Sequence, residues 1–160
     1  MAGRFIRSRD LDFFDTINKE LLGDPINSKP GIINQEVVIY KVSVYETEVN
    51  FYGEASSGRT YRNGVKLACL IEAEDFDFET TEFGPDMMQN GTFSFLRQSL
   101  IDANNFVPDI GDVIDWNSSY WEINALNENQ LIGGMQENNH SVVITAYLTE
   151  PSRLNIERLR

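Results

Sequence analysis

The side chains of this 160-residue chain best suited to chemistry are its carboxylates. Residues 72–86 hold seven acidic side chains and no Lys or Arg. Closely spaced carboxylates bind Ca²⁺ or work as an acid and base pair. A calcium loop of the EF-hand type needs alternating acidic ligands, a central glycine and a terminal glutamate over about twelve residues. Asp75, Asp77 and Glu79 supply the alternation, but no glycine follows at the required place. A pair of hydrolytic acids drawn from Glu72, Glu74 and Asp77 has only to converge in space, which sequence spacing does not reveal. Phe76, Phe78 and Phe83 interleave with the acids, the pattern of an edge segment with one aromatic and one charged face. Charge on such an edge discourages unwanted strand pairing.

The other reactive side chains are isolated. Cys69 is the single cysteine and lies in an apolar run, so it forms no internal disulfide and is expected to be a small buried thiol. His140 is the only histidine, with no second His or Cys near it in sequence, so neither a metal cluster nor a nucleophilic triad is indicated. The expectation is a protein that is not an enzyme and holds no cofactor or metal.

The formal net charge of −12 excludes a protein that grips nucleic acid phosphates over its whole surface. It is compatible with an acidic surface past which DNA slides. Six of the nine arginines lie at the two ends, Arg4, Arg7 and Arg9, then Arg153, Arg158 and Arg160. Basic ends and an acidic middle suit head-to-tail contact between copies. No apolar run approaches the roughly 18 residues of a membrane span, and the N-terminus has no signal-peptide pattern. The expected location is therefore a cytoplasm, without membrane contact.

Among the elements that must position these groups, the clearest is a hairpin. Apolar residues alternate on both sides of Asn117-Ser118-Ser119, with Trp116 and Trp121 beside the turn and Gly111 and Pro108 ahead of the first strand. The two indoles are expected to anchor a core. Residues 1–9 form a basic arm. Residues 10–22 form an amphipathic helix with Leu11, Phe14, Ile17 and Leu21 at helical spacing, ended by Gly23 and Pro25. Its Phe-rich face, which Phe13 and Leu22 widen, must lie on something, and packing on the body of its own domain is the simplest case. A long strand is predicted over 36–49, then a loop over 50–64 ending in an Asn63-Gly64 turn flanked by Tyr61 and Val65, and a strand over 65–73. A loop with Met87 and Met88 precedes a short strand over 92–96. Residues 97–105 read as a helical turn or a polar excursion. Residues 127–139, rich in Asn and Gln around Gly133-Gly134, read as an exposed loop, followed by a last strand over 141–148 and a tail from Pro151. One helix and about six strands point to a single domain, mainly β: a small partly closed antiparallel β-barrel over 35–149, with extended termini and a tail over 150–160.

The order of several motifs resembles the neck (head-closure or head-completion) proteins of contractile-tailed bacteriophages. They are the Tyr-Glu-Thr-Glu-Val-Asn-Phe-Tyr-Gly-Glu run, Asn63-Gly64-Val65-Lys66-Leu67-Ala68-Cys69, Phe83-Gly84-Pro85-Asp86, Gly111-Asp112-Val113-Ile114-Asp115-Trp116 with Tyr120-Trp121-Glu122-Ile123, Glu128 to Gly134, and His140-Ser141-Val142-Val143. The likeness spans about 11–157. It implies a structural virion protein, a hexameric ring between the portal or adaptor above and the tail terminator or completion protein below, with genomic DNA passing through unread. On that resemblance the subunit contacts would involve Arg4, Arg7, Arg9, Phe13, Arg153 and Arg158 against Glu74, Asp75, Asp77 and Glu79. The channel loop would carry Asn129, Gln130, Gly133, Gly134, Gln136 and Asn138. An adaptor or tail-terminator ring of the same particle is an alternative. So, from another class, is a barrel binding single-stranded nucleic acid or sugar through Tyr45, Phe51 and Tyr61.

Overall fold

The computed structural model describes residues 7–43, 47, 51, 59–75, 77–81, 84–132, 139–150 and 154–155, and for 77–81, 84–88, 129, 130 and 155 the backbone alone. Helix α1, Ser8–Leu22, opens the described chain. It ends at Gly23, whose φ of 91° suits a residue without a Cβ. Strands β1, Gly23–Asp24, and β2, Lys29–Pro30, then pair antiparallel and return the chain past the helix end. A Cβ on Gly31 would lie 2.2 Å from the Gly23 nitrogen and 2.3 Å from the Leu22 carbonyl carbon, so the crossing closes only on a bare backbone. Gly31→Ala is expected to cost about 1–3 kcal/mol of local stability. Faster amide exchange in α1, with the barrel strands unchanged, would show it.

The barrel is formed by β3, Glu36–Tyr40, β5, Val65–Ala68, β6, Leu70–Ala73, β9, Asn90–Leu96, β10, Val113–Trp116, β11, Ser119–Leu131, and β12, Asn139–Thr149. Their order in the sheet is β5-β3-β10-β11-β12-β9-β6, every pairing antiparallel. The outermost strands β5 and β6 are separated by Cys69 alone, so the sheet must curl until its two margins meet there. The Cys69 N–H donates to the Gln35 carbonyl at 3.1 Å. The single strand expected over 65–73 is thus split at the corner that curls the sheet. Outside it lie β4, Arg59–Thr60, paired in parallel with β13, Leu154–Asn155, the hairpin β7, Asp77–Thr81, with β8, Gly84–Met88, and the short helix α2, Arg97–Asp102.

The barrel interior follows the period of two that a half-buried strand requires. Val37 and Ile39, Phe93 and Phe95, Trp121 and Ile123, and Val142, Ile144 and Ala146 all enter one core. Part of the outer surface is covered as well. Tyr40, Val113 and Tyr120 are buried beneath Val38, Tyr61 and Leu154, which is why β3 reads as an unbroken apolar run. The tail residues 154–155 rest on their own domain, on β4.

Four expectations about the elements are corrected. Strand β3 stops at Tyr40 instead of continuing to 49: the Val42 N–H donates to the Asp112 carboxylate, the Ser43 N–H to the Thr60 carbonyl, and Val42 bridges Tyr61. Asn63-Gly64 is not a hairpin turn, because β4 and β5 pair with different partners, β13 and β3. Gly64 has another use: a Cβ there would come 2.4 Å from Val38 Cγ1 and 2.8 Å from Tyr40 Cε1. The residues with positive φ that a two-residue hairpin needs are Asn117 (51°) and Ser118 (62°), placing Trp116 opposite Ser119. Residues 84–88, taken for a loop around Met87 and Met88, form a strand, and residues 127–131, taken for a loop with Asn129 and Gln130, belong to the 13-residue strand β11.

Candidate assembly interface

Helix α1 lies on the barrel with a mixed side, polar through its middle and apolar at its ends, where Leu22 packs with Ala68 and Leu96. Leu11, Asp15, Asn18, Lys19 and Leu22 turn inward, half-buried or buried. Phe13, Phe14, Ile17 and Leu21 are 62%, 51%, 44% and 36% exposed. The expectation that the Phe-rich face packs on its own domain is therefore overturned. The physical reason is in the seat beneath the helix, which offers polar partners. The Lys19 ammonium pairs with the Asp102 carboxylate of α2. A cleft of about 210 Å³ is lined by Leu11 and Asp15 from the helix and by Gln98, Asn139 and His140 from the body. Burial there raises the Asp15 carboxyl above its ordinary value, while His140 pulls it the other way.

The acidic segment is also displayed outward. Glu74 and Asp75 are exposed just after β6. The Glu74 carbonyl accepts from Gln89 Nε2 at 2.7 Å, and its carboxylate from Asn90 Nδ2 at 3.3 Å. Asp77 and Glu79 fall at alternate positions of β7, opposite Met88 and Asp86, so the backbone places them on one face of a two-stranded hairpin apart from the barrel sheet. None of the described clefts is lined by Glu72 or Glu74, and the side chain of Asp77 lies outside what is described. Among the described residues no group of three or more His, Cys, Asp or Glu is arranged to hold a metal. No helix among them is long and apolar enough to cross a membrane.

Of the basic ends, Arg7 and Arg9 are exposed at the start of α1, with Arg9 3.4 Å from Asp10. Arg4, Arg153 and Arg158 lie outside the described residues, as do Gly133, Gly134, Gln136 and Asn138. Of the aromatics considered for stacking, Phe51 is fully exposed and Tyr61 is half-buried against the Tyr40 cluster. Tyr45 lies outside the described residues.

The tryptophan hairpin is held by a residue that sequence reasoning left without a structural role. Asp112 is buried, and its carboxylate accepts from the Val42 N–H at 2.9 Å and from the Asp109 N–H at 2.8 Å. The backbone beside it joins β11, Gly111 N–H to the Ile123 carbonyl and Ile123 N–H to the Asp112 carbonyl, each at 2.9 Å. Burial pushes the Asp112 carboxyl above its ordinary value, the two backbone donors opposing. The signal in the sequence was Asp after Gly in a run that starts a strand, where a short carboxylate reaches backbone donors. Trp121 is buried, and Trp116, half-buried, packs against it at 5.9 Å between ring centroids. Burial also lifts the Cys69 thiol to about 12, so no thiolate is available near neutral pH.

Fold and surface define a small antiparallel β-barrel that carries an outward-facing apolar helix. No protein-family model and no curated protein matches the sequence. Among solved structures the fold is similar to a chain described as "Virion of native gene transfer agent (GTA) particle", with a TM-score of 0.50 and 13% identity, over 72% of this chain and 94% of that one. At that identity the likeness is one of fold.

Proposed function

We propose that the chain is a structural subunit of a tailed-phage-like virion, one copy of a ring at the head–tail junction that closes the DNA-filled head and receives the tail. The observation that carries this reading is the fold shared with a gene transfer agent virion chain, which takes in nearly all of that chain. The finer placement at the neck rests on the motif resemblance alone. In this role the protein is not an enzyme. The ring is a hexamer with a portal or adaptor above and a tail terminator or completion protein below, and the net charge of −12 favours passage of the genome without retention.

Purified particles test this. Mass spectrometry is expected to find about six copies per particle, one ring's worth. Labelled chain should map to the head–tail junction, and its loss should leave filled heads without tails. Copies placed next to the portal or at the tail's upper end would assign the adaptor or terminator role instead. Absence from particles would overturn the virion reading.

A further inference from the structure

We propose that α1 of one copy seats its outward face in the apolar cleft beside α2 of the next copy, a head-to-tail contact that builds the ring; this rests on the ring reading above. Phe13, Ile17 and Leu21 recur every four residues, flanked by Phe14, which is the anchor spacing of a helix that docks in a groove. The same chain offers the groove. A cleft of about 110 Å³ beside α2 is lined by Leu100, Ile101, Phe106, Val107, Pro108 and Val142. Ile101, 44% exposed, and Val107, 55% exposed, stand at its lip. At one end Arg97 and Glu128 face each other at 3.5 Å, supplying a polar rim. A subunit cannot fill this cleft with its own helix. The Lys19–Asp102 ion pair holds α1 over the neighbouring cleft, across the Arg97 and Ile101 side chains that line both, where Leu11 and Asp15 share the lining with Gln98.

The areas favour a second copy in head-to-tail order. The outward stripe exposes roughly 350–400 Å² of apolar surface, taking aromatic side chains at about 200 Å² each, and Ile101 and Val107 at the lip add roughly 150–200 Å² on the other copy. At an apolar share of somewhat over half, this is a contact of roughly 1,000 Å² in all, the low end of the specific range, and each copy of a closed ring makes two of them. Two α1 helices pairing about a two-fold axis would leave Ile101 and Val107 open and stop at two copies. Helix-in-groove contact uses both patches and leaves one of each kind free at the ends of any short array, so it is satisfied only when the array closes.

Sedimentation of the full chain at tens of micromolar tests the contact. The wild type is expected to assemble. Ile17→Glu and Val107→Glu, both at exposed positions, should keep the barrel's circular dichroism and each weaken assembly at least about tenfold. Mixed in equal amounts, the two variants should form a one-to-one pair and nothing larger, since one keeps its cleft and the other its helix face. A monomeric wild type, unchanged assembly by either folded variant, or continued pairing of Val107→Glu with itself would overturn the contact. The ring reading fails separately, by absence of the chain from particles. If particles contain the chain and incorporate both variants as well as wild type, only the helix-in-groove contact falls.

Discussion

Replacing Trp121 with alanine is expected to lower the stability of the protein by about 3–5 kcal/mol, the range for truncating a large aromatic in a packed core. The ring is 2% exposed and meets Phe93 edge-on at 5.8 Å and Trp116 at 5.9 Å between centroids. The far edge of the indole lies over Gly91, where a Cβ would stand 3.1 Å from Cζ3, so strand β9 has made room for it. One feature of the site opposes burial: Nε1 is enclosed and meets no acceptor among the described residues. An unsatisfied buried donor costs about 1–3 kcal/mol, which the packing of the ring has to outweigh. Trp121→Phe, which removes that donor, is therefore expected to cost clearly less than Trp121→Ala. Trp116→Ala should also cost less, because Trp116 is only half-buried. Urea unfolding followed by the fluorescence of the remaining Trp116 gives the values for the Trp121 variants. A loss under about 1 kcal/mol for Trp121→Ala would contradict its place at the centre of the core.

That centre was legible in the sequence because its cause is local. Alternation around Asn117-Ser118 fixes which residues face inward, and the short turn fixes the register, so Trp121 and Ile123 follow directly. Helix α1 was legible for the same reason, through the spacing of Leu11, Phe14, Ile17 and Leu21 and the stop at Gly23. The splitting of 65–73 at Cys69 was not, since the corner exists only because two strands distant in sequence, β3 and β9, claim the two halves. Asn63-Gly64 misled for a related reason. The dipeptide favours a tight turn, but here glycine serves the close approach of Val38 and Tyr40.

The direction in which the α1 stripe points was beyond the sequence. Helical periodicity identifies an apolar face and says nothing about which body it meets. Lys19 and Asp102 are separated by most of the chain, and it is their ion pair, with the polar cleft at Asp15 and His140, that turns the stripe away from its own barrel. The charge asymmetry of the chain was legible as composition. For the acidic part the backbone register places Asp77 and Glu79 on one face of a two-stranded hairpin outside the barrel sheet. Asn129 and Gln130 show the opposite failure: polar composition suggested a loop, whereas cross-strand pairing with β12 makes that stretch part of a long hairpin arm.

Asp112→Ala is expected to cost about 2–4 kcal/mol, because it leaves the Val42 and Asp109 N–H groups without acceptors at the point where β3 gives way to the β10 hairpin. Asp112→Asn keeps one acceptor oxygen and turns an amide NH₂ toward the other donor, so it should fall between Ala and wild type. The two carboxylate bonds favour the charged form, but burial outweighs them and holds the Asp112 carboxyl above the ordinary 3.8. A raised carboxyl pKa means that the folded state keeps the proton to higher pH than the unfolded chain does. Its contribution is thus complete below the ordinary value and is lost as pH rises through the raised one. Asparagine at this position does not titrate. The stability advantage of wild type over Asp112→Asn is therefore expected to be largest near pH 3.5 and to narrow toward pH 7, read as paired urea midpoints at matched pH and salt. A gap that widens with pH would show that the backbone donors, and not burial, dominate the site. The carboxylate would then strengthen the hairpin most in its charged form.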